Sequence, residues 1–159
     1  MLKRLTNSAV DEVMFVLPPV GFAFSSIYGD HDNIRRLSHR GVRMRGIVNI
    51  SRAYLDVVRD YAELYAFLDS ELCWELRHYH EHRVPFFMVM DSRESVTGIN
   101  PNVKSISLAE PVVALWTDDP VYAKSLTSTF ELLWEKAVPA AQRIEELLKE
   151  KTAKPDERL

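Results

Sequence analysis

The residues best suited to chemistry are three histidines at every second position, in the stretch ELRHYHEHRVPFFMVMD that ends at Asp91. On a β-strand this spacing places the side chains of His78, His80 and His82 on one face, within reach of a shared ion. Zinc takes three or four ligands at about 2 Å, so the spacing would permit a metal site. Pro85 follows closely, which indicates that the strand ends near His80 and that the histidines continue into a turn.

The histidine cluster leaves three interpretations open: a metal site, the lining of a ligand pocket, or a solvated turn. Evenly spaced histidines are a looser motif than the paired cysteine and histidine signatures of zinc domains. The sequence marks no fourth ligand, although Glu81, Asp91 or Cys73 could fold nearby. We therefore predict no metal ligands, and the sequence identifies no cofactor.

Other catalytic signatures are absent from the sequence. It contains no G-x-G-x-x-G, P-loop or G-x-S-x-G motif, and nothing marks a nucleophilic serine. His31 and His39 stand alone, as surface or capping residues do. Cys73 is the single cysteine and forms no internal disulfide, which is typical of the reducing cytoplasm where we expect this chain.

Length and composition are those of one globular domain. The chain has 159 residues, 47% hydrophobic and 27% charged, and we expect an α/β domain over 1–150 followed by a charged tail over 151–159. The net charge of −3 argues against a dedicated nucleic-acid module, so we expect no direct nucleic-acid binding. No apolar run reaches 18 residues, so we expect no membrane span.

Strand and helix patterns alternate along the chain, which predicts an α/β fold. Short apolar runs predict strands over 13–17, 41–50, 73–79, 85–91, 94–99 and 111–117. Helical spacing predicts helices over 33–40, 52–68, 120–137 and 140–150. Asp32 and Gly41 are expected to cap the first helix, and Asp118 or Asp119 the third.

Three side-chain patterns add detail to these elements. Arg43 and Arg45 alternate with apolar residues, so the start of the second strand is expected to have one face in water. Trp116 and Trp134 are expected in the core. The last helix has a narrow apolar stripe that ends at Leu148, and such a stripe often contacts a partner.

Three stretches in this order resemble the phospholipase D-like effector and sensory domains of TrmB-type archaeal regulators and related archaeal sensors. RRLSHRGVRMRGIVNI is similar to their helix and following strand, and ELRHYHEHRVPFFMVMD to the segment that carries the catalytic His-x-Lys in active members. PVVALWTDDPVYAKSLTSTFELLWEKA is similar to their closing strand and helix, which a Phe and a Trp mark, here Phe130 and Trp134. The resemblance covers about residues 10–150. It implies one domain with a mixed central sheet, helices on both faces, a C-terminal amphipathic helix, and a homodimer.

One departure from the enzyme pattern is informative. Active members need His-x-Lys, then four further residues and an Asp, in two copies from one chain or from a dimer, with the histidine as nucleophile. No His-x-Lys pair occurs here, since His80 is followed two positions later by His82, and His82 by Val84. Without the lysine, the cation that would hold phosphate oxygens is missing. The resemblance therefore implies no catalytic residues and a pocket reused for binding.

We expect a non-catalytic sensory domain that binds a small molecule and signals to a transcriptional or kinase output, in an attached domain or a partner protein. Because open α/β sheets bind ligands at the carboxyl ends of their strands, the pocket is expected there, near residues 18–24. The predicted ligand-binding residues are Arg77, His78, His80 and Asp91, with Arg77 and His78 able to pair an anionic group.

Two other functions stay open from the sequence. A degenerate phosphodiesterase or nuclease of the phospholipase D type would use His78 or His80 as nucleophile and Arg83 in place of the lysine. A metal or haem sensor would use His78, His80 and His82 as ligands.

Overall fold

The computed structural model describes residues 8–17, 31–52, 55, 74–80, 85–99 and 113–153. The predicted pocket segment 18–24 lies outside these ranges, as does the predicted helix 52–68 apart from Arg52 and Leu55. No helix within the described ranges has the length and apolar character needed to cross a membrane. The elements are, in chain order, β1 (Glu12–Leu17), α1 (His31–His39), β2 (Arg43–Val48), β3 (Trp74–His78), β4 (Phe86–Met90), β5 (Glu94–Ile99), β6 (Val113–Thr117), α2 (Pro120–Lys136), β7 (Val138–Pro139) and α3 (Ala140–Ala153).

The strands form one seven-stranded sheet in the order β6-β5-β4-β1-β2-β3-β7. Within it β1, β2 and β3 are parallel, and the other pairings are antiparallel. The predicted α/β class and mixed central sheet are therefore confirmed. Every strand predicted from the sequence forms, and β7 is an additional two-residue strand beside β3.

The buried centre of the sheet is β1, in which the five residues after Glu12 are all buried. An apolar run without polar alternation needs cover on both faces of the sheet. Met14 and Val16 pack with α2, on what we call the α2 face, whereas Phe15 and Leu17 pack with α3, on the α3 face. The expected helices on both faces are thus present.

Local sequence signals set the helix ends. Gly41 follows α1 with a positive φ of 74°, as predicted for a C-terminal cap. Asp119 caps α2, because its carboxylate accepts the backbone N–H of Val121 at 2.8 Å. α1 begins at His31, one residue before the predicted cap Asp32.

Two expectations about side chains are wrong. Trp116, expected in the core, is 40% exposed on the edge strand β6, where its indole N–H donates to Glu94 at 3.2 Å. Arg45, expected on a wet face, is only 6% exposed, because α2 covers that face of β2. Arg43 does stay in water at the start of β2. Trp134 is buried as expected.

The apolar stripe of α3 packs against the chain's own sheet. Ala140, Ile144 and Leu147 are buried in the cluster of the α3 face, whereas Leu148 is partly exposed. The stripe therefore gives no separate reason for a dimer, and the homodimer stays a prediction.

An ion cluster around the buried Arg45 joins β1, β2 and α2. The Arg45 guanidinium donates to Glu12 Oε1 at 2.6 Å and to both carboxylate oxygens of Glu131 at 2.9 and 2.5 Å. It also lies 5.0 and 5.4 Å from the ring centres of Phe130 and Trp134. The hydrogen bonds from Arg45 lower the pKa of Glu131, and the bond to Glu131 raises the pKa of Arg45 against the effect of burial. A buried guanidinium stays charged and needs its partners, so the cluster fixes where α2 lies on the sheet.

We expect Glu131→Gln to lower the free energy of unfolding by about 1–2 kcal/mol at neutral pH, because it weakens a charge-assisted pair with a buried guanidinium. Since the folded-state pKa of Glu131 is lowered, its contribution is present above the unfolded-state pKa and is lost as pH falls through the folded-state pKa. Urea unfolding across acidic pH should therefore show the gap between wild type and variant closing. Glu135→Gln, exposed one turn later on α2, is the matched control, and an equal effect there would contradict this role for the cluster.

Candidate functional site

A cleft opens at the carboxyl ends of β2 and β3, on the α3 face of the sheet. Its volume is about 320 Å³, which lies at the lower end of the range for small-molecule sites. The walls come from the segment after β2, the end of β3, and one side of α3. We call it the His78 cleft, and its lining residues are Asn49, Ile50, Ser51, Arg52, His78, His80, Arg143, Leu147 and Glu150.

His78 forms the inner part of this cleft. It is the last residue of β3, and its side chain is almost fully buried. Its Nδ1 accepts the backbone N–H of Ile50, just after β2, at 2.9 Å. Its Nε2 lies 3.2 Å from Nδ1 of His80, with the two rings nearly perpendicular at 84°. The structure thus brings two of the predicted ligand residues into direct contact.

These contacts assign the hydrogens on both rings. Because Nδ1 of His78 accepts a backbone hydrogen, neutral His78 carries its own hydrogen on Nε2 and donates it to Nδ1 of His80. His80 then accepts at Nδ1 and carries a hydrogen on Nε2. The result is a directed hydrogen-bond chain from Ile50 through His78 to His80, and it ends in an N–H donor.

The charge state of His78 agrees with this assignment. Burial, followed by the nearby His80 and Arg143, lowers the pKa of His78 to about 4. Protonation would place a second hydrogen on Nδ1, directly against the N–H of Ile50. His78 is therefore neutral at neutral pH, and the directed chain persists.

The opposite wall of the His78 cleft belongs to α3. Positions 143, 147 and 150 are spaced by four and three residues, so they share one side of the helix. Arg143 donates from Nη1 to Glu146 at 3.2 Å, whereas its Nε is buried and has no hydrogen-bond partner among the described residues. Arg52, after β2, adds a second guanidinium to the lining, and Glu150 a carboxylate.

Arg77 lies on the other face of the sheet, although it directly precedes His78. Successive strand residues point to opposite faces, so Arg77 faces α2. Its guanidinium stacks 4.2 Å from the ring centre of Trp134 and donates to the backbone oxygen of Trp134 at 3.1 Å and to Glu75 at 2.9 Å. The structure therefore does not bring Arg77 and His78 to one anion, as the sequence analysis expected.

Asp91 lies at the opposite end of the sheet from the His78 cleft. It follows β4, which is antiparallel to β1, so it lies beside the start of β1. Its carboxylate accepts the backbone N–H groups of Val10, Asp11 and Glu12, each at 2.9 Å. Burial alone would raise the pKa of Asp91, but these backbone donors outweigh it and lower the pKa. Asp91 therefore anchors the entry to β1 and does not line the cleft.

Asp91 nevertheless fits the last position of the His-x-Lys pattern, in which four residues separate Lys from Asp. Counting back from Asp91 places Phe86 at the lysine position and Val84 at the histidine position. Phe86 opens β4 and packs against the apolar cluster of the α3 face, and Val84 lies outside the described residues. An apolar residue thus stands where the pattern requires a cation, and the histidines of the cleft lie in and after a different strand.

Arg52, Arg143 and Glu150 line the cleft but were not predicted as site residues from the sequence. Arg52 lies far from Arg143 and Glu150 along the chain, and none of the three is close to the histidines in sequence. The packing of α3 on the sheet brings them together. The one signal for them was the shared helix side of positions 143, 147 and 150. The sequence does not show which surface α3 packs against, so this spacing alone could not identify the three positions as the wall of a cleft.

Comparison with known proteins identifies the fold. No protein-family model and no curated protein matches the sequence. TrmBL2, described as an archaeal chromatin protein with a novel mode of DNA binding, gives a TM-score of 0.63 at 16% identity over 87% of this chain. The match covers 48% of TrmBL2, so this chain spans about half the length of that protein.

Two further solved structures have the same fold. Nuc from Salmonella typhimurium, a phospholipase D family member, gives a TM-score of 0.60 at 14% identity, over 87% of each chain. NucT from Helicobacter pylori gives a TM-score of 0.61 at 15% identity, again over 87% of each chain. Such low identities establish the fold alone. The chain has a phospholipase D-like fold, as the resemblance implied.

The similarity to TrmBL2 corrects one expectation. The net charge of −3 led us to expect no direct nucleic-acid binding. A protein described as binding DNA contains the same fold, so this exclusion is wrong. Overall charge is a sum over the whole surface and does not decide what one part of it contacts.

We expect His78 to stay neutral through mildly acidic pH. Because its folded-state pKa of about 4 lies below the ordinary value of 6.5, its contribution to stability is present above pH 6.5 and is lost as pH falls through about 4. Wild type should lose up to about 1.4 kcal/mol per pH unit in this window relative to His78→Asn, which keeps an acceptor for the Ile50 N–H but does not titrate. Histidine NMR titration and urea unfolding measure both effects, with the exposed His39→Asn as control. Titration of His78 near pH 6.5 would contradict the assigned hydrogen-bond chain.

Proposed function

We propose that this chain is a non-catalytic sensory domain, which holds a small molecule in the His78 cleft and passes its occupancy to a regulatory output. The observation that carries the proposal is the contact between buried His78 and exposed His80 at the cleft. A buried polar chain that ends in a donor beside an open cleft holds that donor ready for a ligand. The alternative of a solvated turn does not account for the burial of His78 or for the hydrogen bond from the Ile50 N–H to its Nδ1.

The position of the cleft supports ligand binding. It lies beyond the carboxyl ends of the parallel strands β2 and β3, where open α/β sheets take up ligands. Its lining is mostly polar, with Ile50 and Leu147 as its apolar members, so the cleft suits a polar small molecule better than an apolar one.

A ligand in this cleft would bridge two parts of the fold. It would contact His80 beyond β3 and Arg143 and Glu150 on α3 at the same time. A molecule that binds better when these parts are close shifts α3 towards the sheet, and α3 is therefore the element that we propose to report occupancy. The similarity to TrmBL2, described as a DNA-binding chromatin protein, supports a DNA-linked output for such a change.

The geometry supports a degenerate phosphodiesterase less well. A nucleophilic histidine needs a free nitrogen lone pair. Nδ1 of His78 accepts the Ile50 N–H, Nδ1 of His80 accepts from His78, and each Nε2 carries a hydrogen. Neither ring offers the lone pair, and Phe86 occupies the lysine position of the pattern.

The hydrogen bonds of the two rings also disfavour a metal or haem sensor, because they occupy the nitrogens that would bind the metal. Ligation needs deprotonated nitrogens, and moving the His78 hydrogen to Nδ1 would oppose the Ile50 N–H. Within the part of the chain that the structure describes, no three His, Cys, Asp or Glu side chains are grouped to hold a metal ion. His82, the third predicted ligand, lies outside that part.

Binding in the His78 cleft predicts ligand-dependent stability. In a thermal-shift panel of sugars, amines, carboxylates and phosphates, at least one compound should raise the Tm by several degrees through linkage. Glu150→Trp should abolish that shift because it fills the cleft mouth, whereas Lys149→Trp, exposed on the adjacent position of α3, should keep it. A panel without any hit, or a hit that both variants retain, would count against the proposal.

Absence of hydrolysis that depends on the histidines is a separate prediction. Bis(p-nitrophenyl) phosphate incubated with wild type and with His80→Ala should be hydrolysed at the same background rate, because neither imidazole offers a lone pair. Release of nitrophenolate by wild type that His80→Ala loses would restore the phosphodiesterase hypothesis.

A further inference from the structure

We infer that the ligand of the His78 cleft bears an oxyanion, a carboxylate or a phosphate, which accepts from the Nε2–H of His80 and from the guanidinium groups of Arg143 and Arg52. The inference rests on the proposed function and specifies the chemical class of the ligand. It follows from the hydrogen-bond polarity of the cleft, which the fold itself fixes.

His80 presents a donor to the His78 cleft. It accepts from His78 at Nδ1 and therefore carries its hydrogen on Nε2. The backbone N–H of Ile50 fixes this direction from the far side of His78. A ligand atom that meets Nε2 of His80 must therefore be an acceptor.

Arg143 adds a donor that the described protein leaves unused. Its Nη1 is held by Glu146, and Glu146 also accepts from Gln142 at 3.2 Å. Its Nε is buried and lacks a hydrogen-bond partner among the described residues. Arg143 lines the cleft, so an acceptor bound there lies beside its guanidinium.

The charges of the lining select an anion over a cation or a neutral polyol. Arg52 and Arg143 contribute two guanidinium groups, and Glu150 is the single carboxylate among the lining residues. Guanidinium groups match carboxylate and phosphate oxygens in geometry and charge. Glu146 already pairs with Arg143, so an anionic ligand would share that guanidinium and meet Arg52 as well, whereas a cation would be repelled by both arginines and a neutral polyol would gain no charge pairing.

This anion site is separate from the remnant of the catalytic pattern. The pattern falls on 84–91, at the start and end of β4. β1 and β2 lie between β4 and β3 in the sheet, so the His78 cleft is three strands away from Phe86. Neighbouring strands are about 4.8 Å apart, which separates the two places by roughly 14 Å. The cleft histidines are therefore not a displaced copy of the nucleophile.

A matched ligand series tests the inference. Glycerol, glycerate, glycerol 3-phosphate and 3-amino-1,2-propanediol share one small frame and differ in a neutral, carboxylate, phosphate or ammonium group. Isothermal titration calorimetry at constant ionic strength should detect glycerate or glycerol 3-phosphate and neither of the other two. The stronger of the two anions identifies the oxyanion that the site prefers.

Variants locate the binding. Arg143→Met and His80→Leu should each weaken the anion at least about tenfold, because each removes a charge-assisted or fixed donor. His80→Gln, which keeps an amide donor, should stay within about threefold of wild type, and His39→Leu, exposed on α1, should match wild type. Circular dichroism confirms that each variant is folded before its affinity is compared.

The possible results separate the inference from the proposed function. Hits in the metabolite panel that are neutral or cationic, and that Glu150→Trp abolishes, would keep the sensory proposal and overturn the oxyanion. Anion binding that survives both Arg143→Met and His80→Leu would overturn the oxyanion site as well. A panel without any hit would reject the proposed function itself.

Discussion

A positive charge buried between the sheet and α2 determines how the rest of this fold is arranged. Arg45 projects from β2 into an apolar face, and burial of a charge is costly unless partners compensate it. Glu12 on β1 and Glu131 on α2 supply those partners, and the rings of Phe130 and Trp134 enclose the guanidinium. The requirement for Glu131 fixes α2 over the middle of the sheet. The chain leaves α2 through β7, beside β3, and α3 packs on the opposite face of the sheet.

Strand alternation divides the chemistry between these two faces. In β3, Arg77 points to the α2 face, where it stacks on Trp134 and meets the carboxyl end of α2. His78, one residue later, points to the α3 face and meets the backbone of Ile50. The guanidinium of Arg77 thus stabilises the end of α2, and the imidazole of His78 lines the cleft. No rearrangement short of a register shift in β3 would put both side chains in one site.

The sequence predicted what local physics decides. The apolar run of β1, the Asp119 cap and the glycine after α1 depend on neighbouring residues, and each was found as expected. Arg45 was placed in water because an arginine that alternates with apolar residues looks the same whether water or an acidic helix covers it. Its partner Glu131 lies 86 positions away, beyond any local pattern. The spacing of His78 and His80 predicted their shared location, whereas the approach of Arg143 depends on how α3 packs.

The same packing separates an apolar region at β4 from the polar residues at the end of β3. The lysine position of the pattern is filled by Phe86, whose ring lies where Gly98 of β5 leaves room, since a Cβ there would collide with it. Restoring a cation at this place would bury a charge against the apolar cluster of the α3 face, with Phe15 and Met88 as neighbours. The polar side chains of the α3 face lie instead at the end of β3, three strands from β4. There the backbone N–H of Ile50 fixes the direction of the hydrogen bond between His78 and His80. The apolar packing around β4 and the polar lining of the His78 cleft therefore occupy different parts of the α3 face.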